Sequence, residues 1–471
     1  MHARNLLDMD VKPSFDPTDV ARWSGGVWKH IPARPVRGVS IDTRNIKDGD
    51  MFVAIRGENS DGHDFLDVAM ARGASCVMVD DAERVNLSKL PALVVSSTRN
   101  ALTSFARGYR NTWSCRVVAV TGSVGKTTVK ELIADMLHHV GITARTRGNW
   151  NNDLGVPLSI LSAPPDVQYG VFEVGMNHPG ELEPLCDILR PDIGVVTCIG
   201  PVHIENFQDE EAIAREKAAV YRALAPDGVA VVNLDDRFSR VLIEYAGDRK
   251  VVGVSAKRGA DIVYRRTDPV HGRFQLEEKS SGECMDCEAA LPGEYFVIDS
   301  ALAAATARAM GIGWPGIRTA IQRFRPLSMR WNREVIKGIH IINDAYNANP
   351  VSMRAAVHAL LEEPTGGNRW VALGGMLELG RNERELHIAL GEEIAGIPGL
   401  RLLTLGERGK WIAEGAGAAG MDATHIYPAA NADHAANFLF NQLKNGDTVL
   451  FKGSRGEAVD VILNKLMALW K

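Results

Sequence analysis

The segment VVAVTGSVGKTT at residues 117–128 joins an apolar run, a glycine-rich loop and the polar start of a helical pattern. Short valine-rich runs are typical of buried strands, and residues 126–140 carry apolar side chains at helical spacing. A glycine-rich loop between a strand and a helix is an arrangement in which backbone N–H groups bind phosphate. The segment therefore predicts an α/β architecture with a phosphate-binding loop.

The residues of this loop suit phosphate chemistry. Glycines let the backbone approach phosphates closely, N–H groups at the helix start bind their oxygens, and Lys126 adds a positive charge. Thr127 supplies a hydroxyl of the kind expected on a magnesium ion. The alternative is a purely structural turn that happens to contain Gly-Lys-Thr. The predicted nucleotide-binding residues are Gly122, Ser123, Val124, Gly125, Lys126, Thr127 and Thr128.

The loop departs from the common phosphate-loop motif at one position. The residue five places before Gly125 is Val120, where that motif has glycine. Mechanistic templates from kinases and GTPases therefore do not transfer automatically to this chain.

Outside the loop, short β-rich runs alternate with helical patterns, as in α/β layers with mainly parallel strands. Strands are predicted at 117–120, 170–174, 193–197 and 228–232, with a helix over 210–224, and a second series of strands at 339–343, 370–373, 401–404 and 447–451. Before them, an α/β unit at about 38–80 leads into a helix at 97–109.

The range 323–332 lacks periodicity and contains Pro326, which indicates a domain boundary. The predicted fold class is α/β with three domains. They are a small N-terminal α/β domain at 1–112, a central P-loop ATPase-like domain with a mainly parallel sheet at 113–327, and a C-terminal Rossmann-like α/β domain at 328–471.

Composition excludes several classes of protein. The 471 residues are 45% hydrophobic and 24% charged, and the net charge of -5 gives no reason to expect a nucleic-acid partner. Residues 1–8 lack a basic start followed by a continuous apolar run, so we expect no leader there, and no uncharged apolar stretch reaches the roughly 18 residues of a membrane span. We expect a cytoplasmic monomer without membrane contact. Six scattered cysteines suit free thiols, and Cys284 and Cys287 are interpreted as loop residues without a metal.

Further segments occur in a characteristic order. They read DTR at 42–44, GDMFVA at 49–54, DGHDF at 61–65, GNWNNDLGVP at 148–157, EVGMNHPGE at 173–181, HIENF at 203–207, REK at 215–217, NDAYNANPVSM at 343–353, GGMLELG at 374–380 and KGSR at 452–455. Together with the variant loop, this series resembles the Mur ligase family from about residue 38 to the C-terminus. Any one segment could arise by chance, whereas the shared order makes chance a poor explanation.

The resemblance implies an ATP-dependent ligase that joins a carboxylate to an amine through an acyl phosphate, in peptidoglycan precursor synthesis. The segment at 343–353 resembles the branch that adds D-alanyl-D-alanine to UDP-N-acetylmuramoyl-tripeptide. A sister ligase that adds the third peptide residue is one alternative, although the Asp-Asn-Pro-Arg stretch usual in that branch is absent. A catalytically silent nucleotide-binding protein of the same fold is the other.

Transfer of phosphate to a carboxylate brings two anions together, so the site needs cations. Lys126 is one, and Thr127 and Glu173 are natural ligands for a first magnesium ion. By resemblance, His203 helps to hold a second magnesium ion, and Lys217 is carbamylated by carbon dioxide. The plainer interpretations are a solvated glutamate at a strand end, a structural histidine and an ordinary lysine on an amphipathic helix.

Substrate and nucleotide contacts follow from the same resemblance. The UDP group is assigned to Asp42, Thr43 and Arg44, for which a turn with a surface ion pair is the alternative. A polar loop facing the substrate is assigned to Asn149, Asn151, Asn152 and Asp153, for which an asparagine-rich turn is the alternative. Contacts from the third domain to the nucleotide are assigned to Arg330 and Asp344. Contacts to the nucleotide or the dipeptide are assigned to Tyr346, Asn347 and Asn349, for which a buried tyrosine with capping asparagines is the alternative.

Three departures from the family pattern stand out. Tyr295 replaces a histidine of the adenine-binding part, and Asp299 or Ser300 replaces an asparagine, with Phe296 in the same stretch. Gly375 stands where an aspartate is common, and Asn343 replaces the first of two acids. The first departure puts base selectivity in doubt and leaves phosphate binding intact.

Overall fold

A computed structural model describes residues 13–84 and 90–470. The first unit has a five-stranded sheet in the order β1-β5-β4-β3-β2, parallel except for the β1-β5 pair. Its elements are α1 (Pro17–Ser24), β1 (Val27–Trp28), β2 (Gly38–Ser40), β3 (Asp50–Val53), α2 (Leu66–Ala71), β4 (Cys76–Val79), β5 (Ala92–Val94) and α3 (Thr98–Arg110).

The central unit has a nine-stranded sheet in the order β14-β13-β12-β11-β10-β9-β6-β8-β7. Strands β6 to β12 run parallel across the sheet, and β13 and β14 add antiparallel strands at one edge. Its strands are β6 (Arg116–Thr121), β7 (Thr143–Arg145), β8 (Tyr169–Glu173), β9 (Ile193–Val196), β10 (Val229–Asn233), β11 (Lys250–Ser255), β12 (Ile262–Asp268), β13 (Arg273–Glu278) and β14 (Cys284–Glu288). Its helices are α4 (Lys126–His138), α5 (Gly155–Leu161), α6 (Leu182–Leu189), α7 (Glu210–Lys217), α8 (Ala219–Arg222), α9 (Ser239–Ala246), α10 (Glu294–Ala309) and α11 (Trp314–Arg323).

The third unit has a six-stranded sheet in the order β15-β16-β20-β17-β18-β19, antiparallel only at β15-β16. Its strands are β15 (Asn332–Ile336), β16 (Ile339–Asn343), β17 (Arg369–Leu373), β18 (Leu400–Leu405), β19 (Ile426–Ala429) and β20 (Thr448–Lys452). Its helices are α12 (Pro350–Glu362), α13 (Glu383–Ala395), α14 (Gly406–Ala418), α15 (Ala432–Gln442) and α16 (Val459–Trp470).

Apolar side chains explain how the first two units are held together. One continuous core runs from Leu93 of the first sheet through Phe105 and Tyr109 of α3 into the central unit. At the junction, Trp113 stacks on Phe172 of β8 with ring centroids 6.1 Å apart. The position of the first unit relative to the phosphate loop is therefore fixed by a buried aromatic contact.

The predicted fold class, α/β with three domains and mainly parallel sheets, is confirmed. The domain boundaries stay a prediction, and residues 1–8, interpreted above as lacking a leader, lie outside the described residues. Within the described ranges, no helix is both long and apolar enough to cross a membrane.

Two local predictions are wrong. The single helix predicted over 210–224 is two helices, because Ala218 has a ψ of −9° and its carbonyl accepts from Tyr221 N, three residues on. Cys284 and Cys287 lie in strand β14, not in a loop. Residues three apart in a strand face opposite sides, so Cys287 is buried and Cys284 exposed, which separates the two thiols as metal ligands.

Candidate functional site

A cavity of about 590 Å³ lies between the central unit and the third unit. It sits beyond the carboxyl ends of β6, β8 and β9, where parallel sheets place their ligands. The cavity brings together most of the residues predicted above. Those that line it are Ser123, Val124, Gly125, Lys126, Thr127, Thr128, Asn149, Asn151, Asn152, Glu173, His203, Lys217, Arg330, Asp344, Tyr346, Asn347 and Asn349.

The phosphate loop is shaped by its own backbone contacts. Gly125, the residue before α4, lies in the left-handed region with a φ of 86°, which only glycine adopts readily. Ser123 Oγ donates to Gly200 O at 3.0 Å, and Ser123 N donates to Cys198 O at 2.8 Å, so the loop is tied to the segment after β9. Lys126 Nζ donates to Gly122 O at 2.8 Å, which closes the loop on itself. Gly122 thus belongs to the loop without lining the cavity.

Glu173 is the best-positioned carboxylate of the site. It is 1% exposed at the end of β8, and Thr127 Oγ1 donates to its Oε2 at 2.8 Å. Asn151 Nδ2 donates to Oε1 at 2.7 Å, and Thr146 Oγ1 accepts from Glu173 N at 2.9 Å. The solvated strand-end glutamate considered above does not describe this buried, oriented group. Asn151, predicted to face the substrate, lines the cavity and also orients Glu173.

Two lysines lie in the cavity wall. Lys217, at the end of α7, is 2% exposed and has no hydrogen-bond or ion-pair partner among the described residues. Burial, followed by the nearby Lys126, holds the pKa of Lys217 well below its ordinary range. Burial also lowers the pKa of Lys126, with Glu173 opposing the shift. Its burial, and the lack of a partner among the described residues, distinguish Lys217 from an ordinary lysine on a helix surface.

His203 lies at a strained turn facing the third unit. Its φ of 57° is unusual for a residue with a side chain, and its Nδ1 contacts the carboxylate of Glu378 from the third unit. Burial lowers the pKa of His203, while Glu378 opposes the shift. The contact joins the central unit to the segment at 374–380.

Third-unit residues form the opposite wall. The guanidinium of Arg330 lies over the ring of Tyr346, 4.1 Å from its centroid. Lys452 Nζ donates to Asp344 Oδ2 at 2.6 Å and to Asn347 O at 3.1 Å. Lys452 had no predicted role, although its position at the end of a parallel strand could have suggested one. Glu378, the partner of His203, was likewise missed.

Several side chains that were predicted to contact a substrate or the nucleotide form hydrogen bonds with neighbouring residues of the chain. Asn349 caps α12 in a reciprocal box with Ser352, and Asn347 Oδ1 accepts from Ala348 N at 2.8 Å. Asn152 Oδ1 accepts from Gly155 N at 2.8 Å. Asp153 lies outside the cavity lining and pairs with Arg99 of α3.

The residues assigned to the UDP group lie away from the cavity lining, and these are Asp42, Thr43 and Arg44. Asp42 Oδ2 accepts from the Arg44 guanidinium at 2.7 Å, and the Arg44 side chain is 81% exposed. The Arg44 side chain lowers the pKa of Asp42 through this hydrogen bond. The structure therefore contains the turn with an ion pair, and its assignment to UDP stays a prediction.

The departures noted in the sequence have clear positions. Tyr295 lines the cavity beside Phe296, and burial raises the pKa of Tyr295 to about 12. Asp299 is 7% exposed, lies against Gly125, and burial raises the pKa of Asp299 to about 8. At Gly375, a β-carbon would lie 2.5 Å from Cβ of Arg408, so this position is closed to the aspartate common elsewhere.

The donor set for a metal is mixed. No cluster of three or more His, Cys, Asp or Glu side chains that could hold a metal occurs in the part of the chain that the structure describes. The hard oxygen donors are Thr127 and Glu173, 2.8 Å apart, which suits the few protein ligands that magnesium usually takes. The residues present therefore fit a magnesium ion bound largely through its substrate.

Comparisons with known proteins extend these observations. The chain matches three family descriptions: Mur ligase family, catalytic domain, over residues 35–110; Mur ligase middle domain over 120–307; and Mur ligase, glutamate ligase domain, over 329–455.

Relatives match over nearly the whole chain. The UDP-N-acetylmuramoyl-tripeptide–D-alanyl-D-alanine ligase of Escherichia coli strain K12 is 33% identical, over 91% of this chain and 93% of the relative. A crystal structure of MurF from Acinetobacter baumannii is 29% identical with a TM-score of 0.88, covering 97% of this chain and 100% of that one. The MurF ligase of Thermotoga maritima in complex with ADP is 26% identical with a TM-score of 0.78, covering 92% and 98%.

Proposed function

This chain belongs to the Mur ligase family, and from that premise we propose that it joins D-alanyl-D-alanine to UDP-N-acetylmuramoyl-tripeptide at the expense of ATP. One observation carries the proposal: the phosphate loop and the segment at 343–353 face each other across a single cavity. The ADP complex of the Thermotoga maritima relative supports a nucleotide as the ligand of that loop.

The proposed reaction has two steps. An oxygen of the tripeptide carboxylate attacks the γ-phosphorus of ATP, so ADP leaves and an acyl phosphate forms. The amine of D-alanyl-D-alanine then attacks the acyl carbon, loses a proton, and expels inorganic phosphate as the amide forms. Lys126 and the backbone N–H groups of the loop stabilise the phosphate charge, because catalysis of phosphoryl transfer rests mainly on positioning and electrostatics. Closure of the third unit over the nucleotide would exclude water, which would otherwise hydrolyse the acyl phosphate.

Magnesium fits the same site. We propose that Thr127 and Glu173 hold one ion and that His203 and Lys217 help to hold a second. Bound magnesium would neutralise phosphate charge. Lys217 suits carbamylation because its buried amine has no protein partner among the described residues. Carbamylation requires the neutral amine: its nitrogen attacks carbon dioxide and releases a proton, which leaves an anionic oxygen donor.

The remaining assignments complete the proposal. Residues 1–112 bind the UDP group through Asp42, Thr43 and Arg44, residues 113–327 bind ATP, and residues 328–471 close over the nucleotide and accept the dipeptide near Asn349. The loop at 149–153 faces the tripeptide. The chain acts as a monomer in the cytoplasm.

The proposal is tested by phosphate release from ATP with UDP-N-acetylmuramoyl-tripeptide and either D-alanyl-D-alanine or single amino acids. We expect release only with the dipeptide, together with a pentapeptide product identified by mass. Release only with a diacid on the shorter precursor would assign the chain to the sister branch. No release with any pair, from protein that binds ATP, would favour the catalytically silent alternative.

A further inference from the structure

The connection between the central and third units contains unusual backbone. Residues 324–331 join α11 to β15, and both Met329 and Trp331 lie in the left-handed region, with φ of 60° and 59°. Residues with a β-carbon rarely adopt this conformation, and it persists where surrounding contacts over-determine it. Arg330 lies between these two residues and lines the cavity. The geometry of this joint therefore decides where Arg330 points.

Three hydrogen bonds fix the joint against the third unit. Tyr346 N donates to Met329 O at 3.1 Å, and Trp331 N donates to Asp344 Oδ1 at 3.1 Å. The indole Nε1 of Trp331 donates to Glu363 Oε1 at 3.0 Å. With Arg330 also stacked on Tyr346, the joint is fastened mainly to the loop that follows β16.

Lys452 fastens that loop in turn. Its side chain is 4% exposed, and its Nζ donates to Asp344 Oδ2 at 2.6 Å, to Asn347 O at 3.1 Å and to Asp344 O at 3.4 Å. Its three N–H groups are thus directed at protein oxygens. Asp344 uses one carboxylate oxygen for Lys452 and the other for Trp331 N. The pair therefore links the end of β20 directly to the strained joint.

We propose that Lys452 is a positioning residue that acts through Asp344 to hold Arg330 toward a bound triphosphate. The proposal rests on the proposed function, because it takes a nucleoside triphosphate as the ligand between Lys126 and Arg330. Asp344 was predicted to contact the nucleotide itself. In the proposal its carboxylate instead holds the joint through Trp331 N, and Arg330 makes the contact with phosphate.

The experiment is a double-mutant cycle of Lys452→Met and Arg330→Ala, with affinity for a non-hydrolysable ATP analogue measured by calorimetry. Each single variant is expected to lose at least about tenfold in affinity, the scale of one charge-assisted contact. In the Arg330→Ala background, Lys452→Met is expected to add less than about twofold, because residues acting through one another are not additive. Fully additive losses would overturn the proposal.

A second variant separates positioning from stability. Lys452→Met leaves Asp344 as a partly buried charge without its partner, which can destabilise the fold. Lys452→Met with Asp344→Asn removes both charges at similar volume, so its melting temperature is expected to recover while its affinity for the analogue stays low. Recovery of affinity together with melting temperature would mean a structural role only, and would overturn the proposal. Calorimetry needs no turnover, so wild-type protein that binds the analogue but releases no phosphate would refute the proposed function alone.

Discussion

The two walls of the cavity differ in whether their basic side chains are paired with another side chain. On the central wall, Lys217 has no partner among the described residues, and Lys126 donates only to a carbonyl of its own loop. On the third-unit wall, Lys452 is paired with Asp344, and Arg330 is stacked on Tyr346. Buried amines need compensation, so lysines without a protein counter-charge are suited to bind a ligand or to react, whereas a cation matched by a carboxylate holds structure in place. The difference supports the proposal that phosphate chemistry takes place at the central wall.

Two lysines of helix α4 show the same difference between an unpaired and a paired cation. Lys126 and Lys130 stand one turn apart on α4, and Lys130 is fully buried with Glu131 and Thr146 O as partners. Lys126→Met is expected to reduce phosphate release by at least about 10³-fold with the melting temperature unchanged. Lys130→Met is expected to cost about 3 kcal/mol in the free energy of unfolding and to leave kcat of the folded protein within about threefold. Rates and denaturant unfolding of both variants measure these effects.

The control is the exposed Lys410→Ala, which should change neither quantity. Normal turnover in Lys126→Met would remove the phosphate-loop assignment. A loss of activity in folded Lys130→Met as large as in Lys126→Met would contradict the comparison. It would show that a lysine paired with a carboxylate can matter as much for catalysis as one without such a partner.

Lys217 gives the next largest expected effect. Lys217→Ala should lower kcat by about 10²-fold, because the proposed carbamate oxygen and the ion that it would hold would be lost. Added small carboxylates such as acetate or formate should restore part of the rate in this variant and leave wild-type unaffected. Wild-type protein kept free of carbon dioxide should lose activity and regain it with bicarbonate. Full activity of Lys217→Ala without any added carboxylate would exclude the carbamate.

The fold was largely predictable because most of its strands carry a recognisable local sequence pattern. The strand predicted at 339–343 is found with the same ends, since apolar β-rich residues are bounded there by a glycine and by polar residues. Strands β12 to β14 were not predicted, although turn residues separate them: Pro269 and Gly272 follow β12, and Ser280, Ser281 and Gly282 follow β13. Cys284 and Cys287 were therefore wrongly placed in a loop, although polar and apolar residues alternate around them.

The site was predictable where chemistry and strand ends coincide, and less so elsewhere. Glu173 follows a strand beside the phosphate loop, so its place could be inferred. The partners of these residues depend on contacts between distant parts of the chain. His203 contacts Glu378, and Lys452 reaches Asp344 over 108 residues, which no local pattern encodes.

Asp299 provides a test of how the site treats an unpaired charge, because it is a buried carboxyl without a cationic partner among the described residues. The quantity to measure is the pH dependence of the free energy of unfolding. Burial raises the pKa of Asp299 from 3.8 to about 8, so between these values the folded protein holds a proton that the unfolded chain has lost. The free energy of unfolding therefore falls as pH rises through this window and levels off above pH 8. Relative to Asp299→Asn, wild-type should lose about 1.4 kcal/mol between pH 7 and pH 9.

Urea unfolding of both proteins at several pH values measures this difference. Asp286→Asn, at an exposed position on β14, is the control and should run parallel to wild-type. A constant difference between wild-type and Asp299→Asn across pH 7 to 9 would mean that Asp299 is already ionised at neutral pH.

The smallest expected effect belongs to Arg44, whose charge is both matched and exposed. Arg44→Ala breaks the pair with Asp42, yet the melting temperature should not change, because exposed ion pairs contribute little. If Arg44 binds the diphosphate of the precursor, KM for the UDP precursor should rise about tenfold while KM for ATP and kcat stay constant. Arg22→Ala removes a similar exposed pair, with Asp19 on α1 of the same unit, and should alter neither constant. Identical kinetics of the two variants would reduce Asp42 and Arg44 to a turn with a surface ion pair, and the UDP site would then have to lie elsewhere in the first unit.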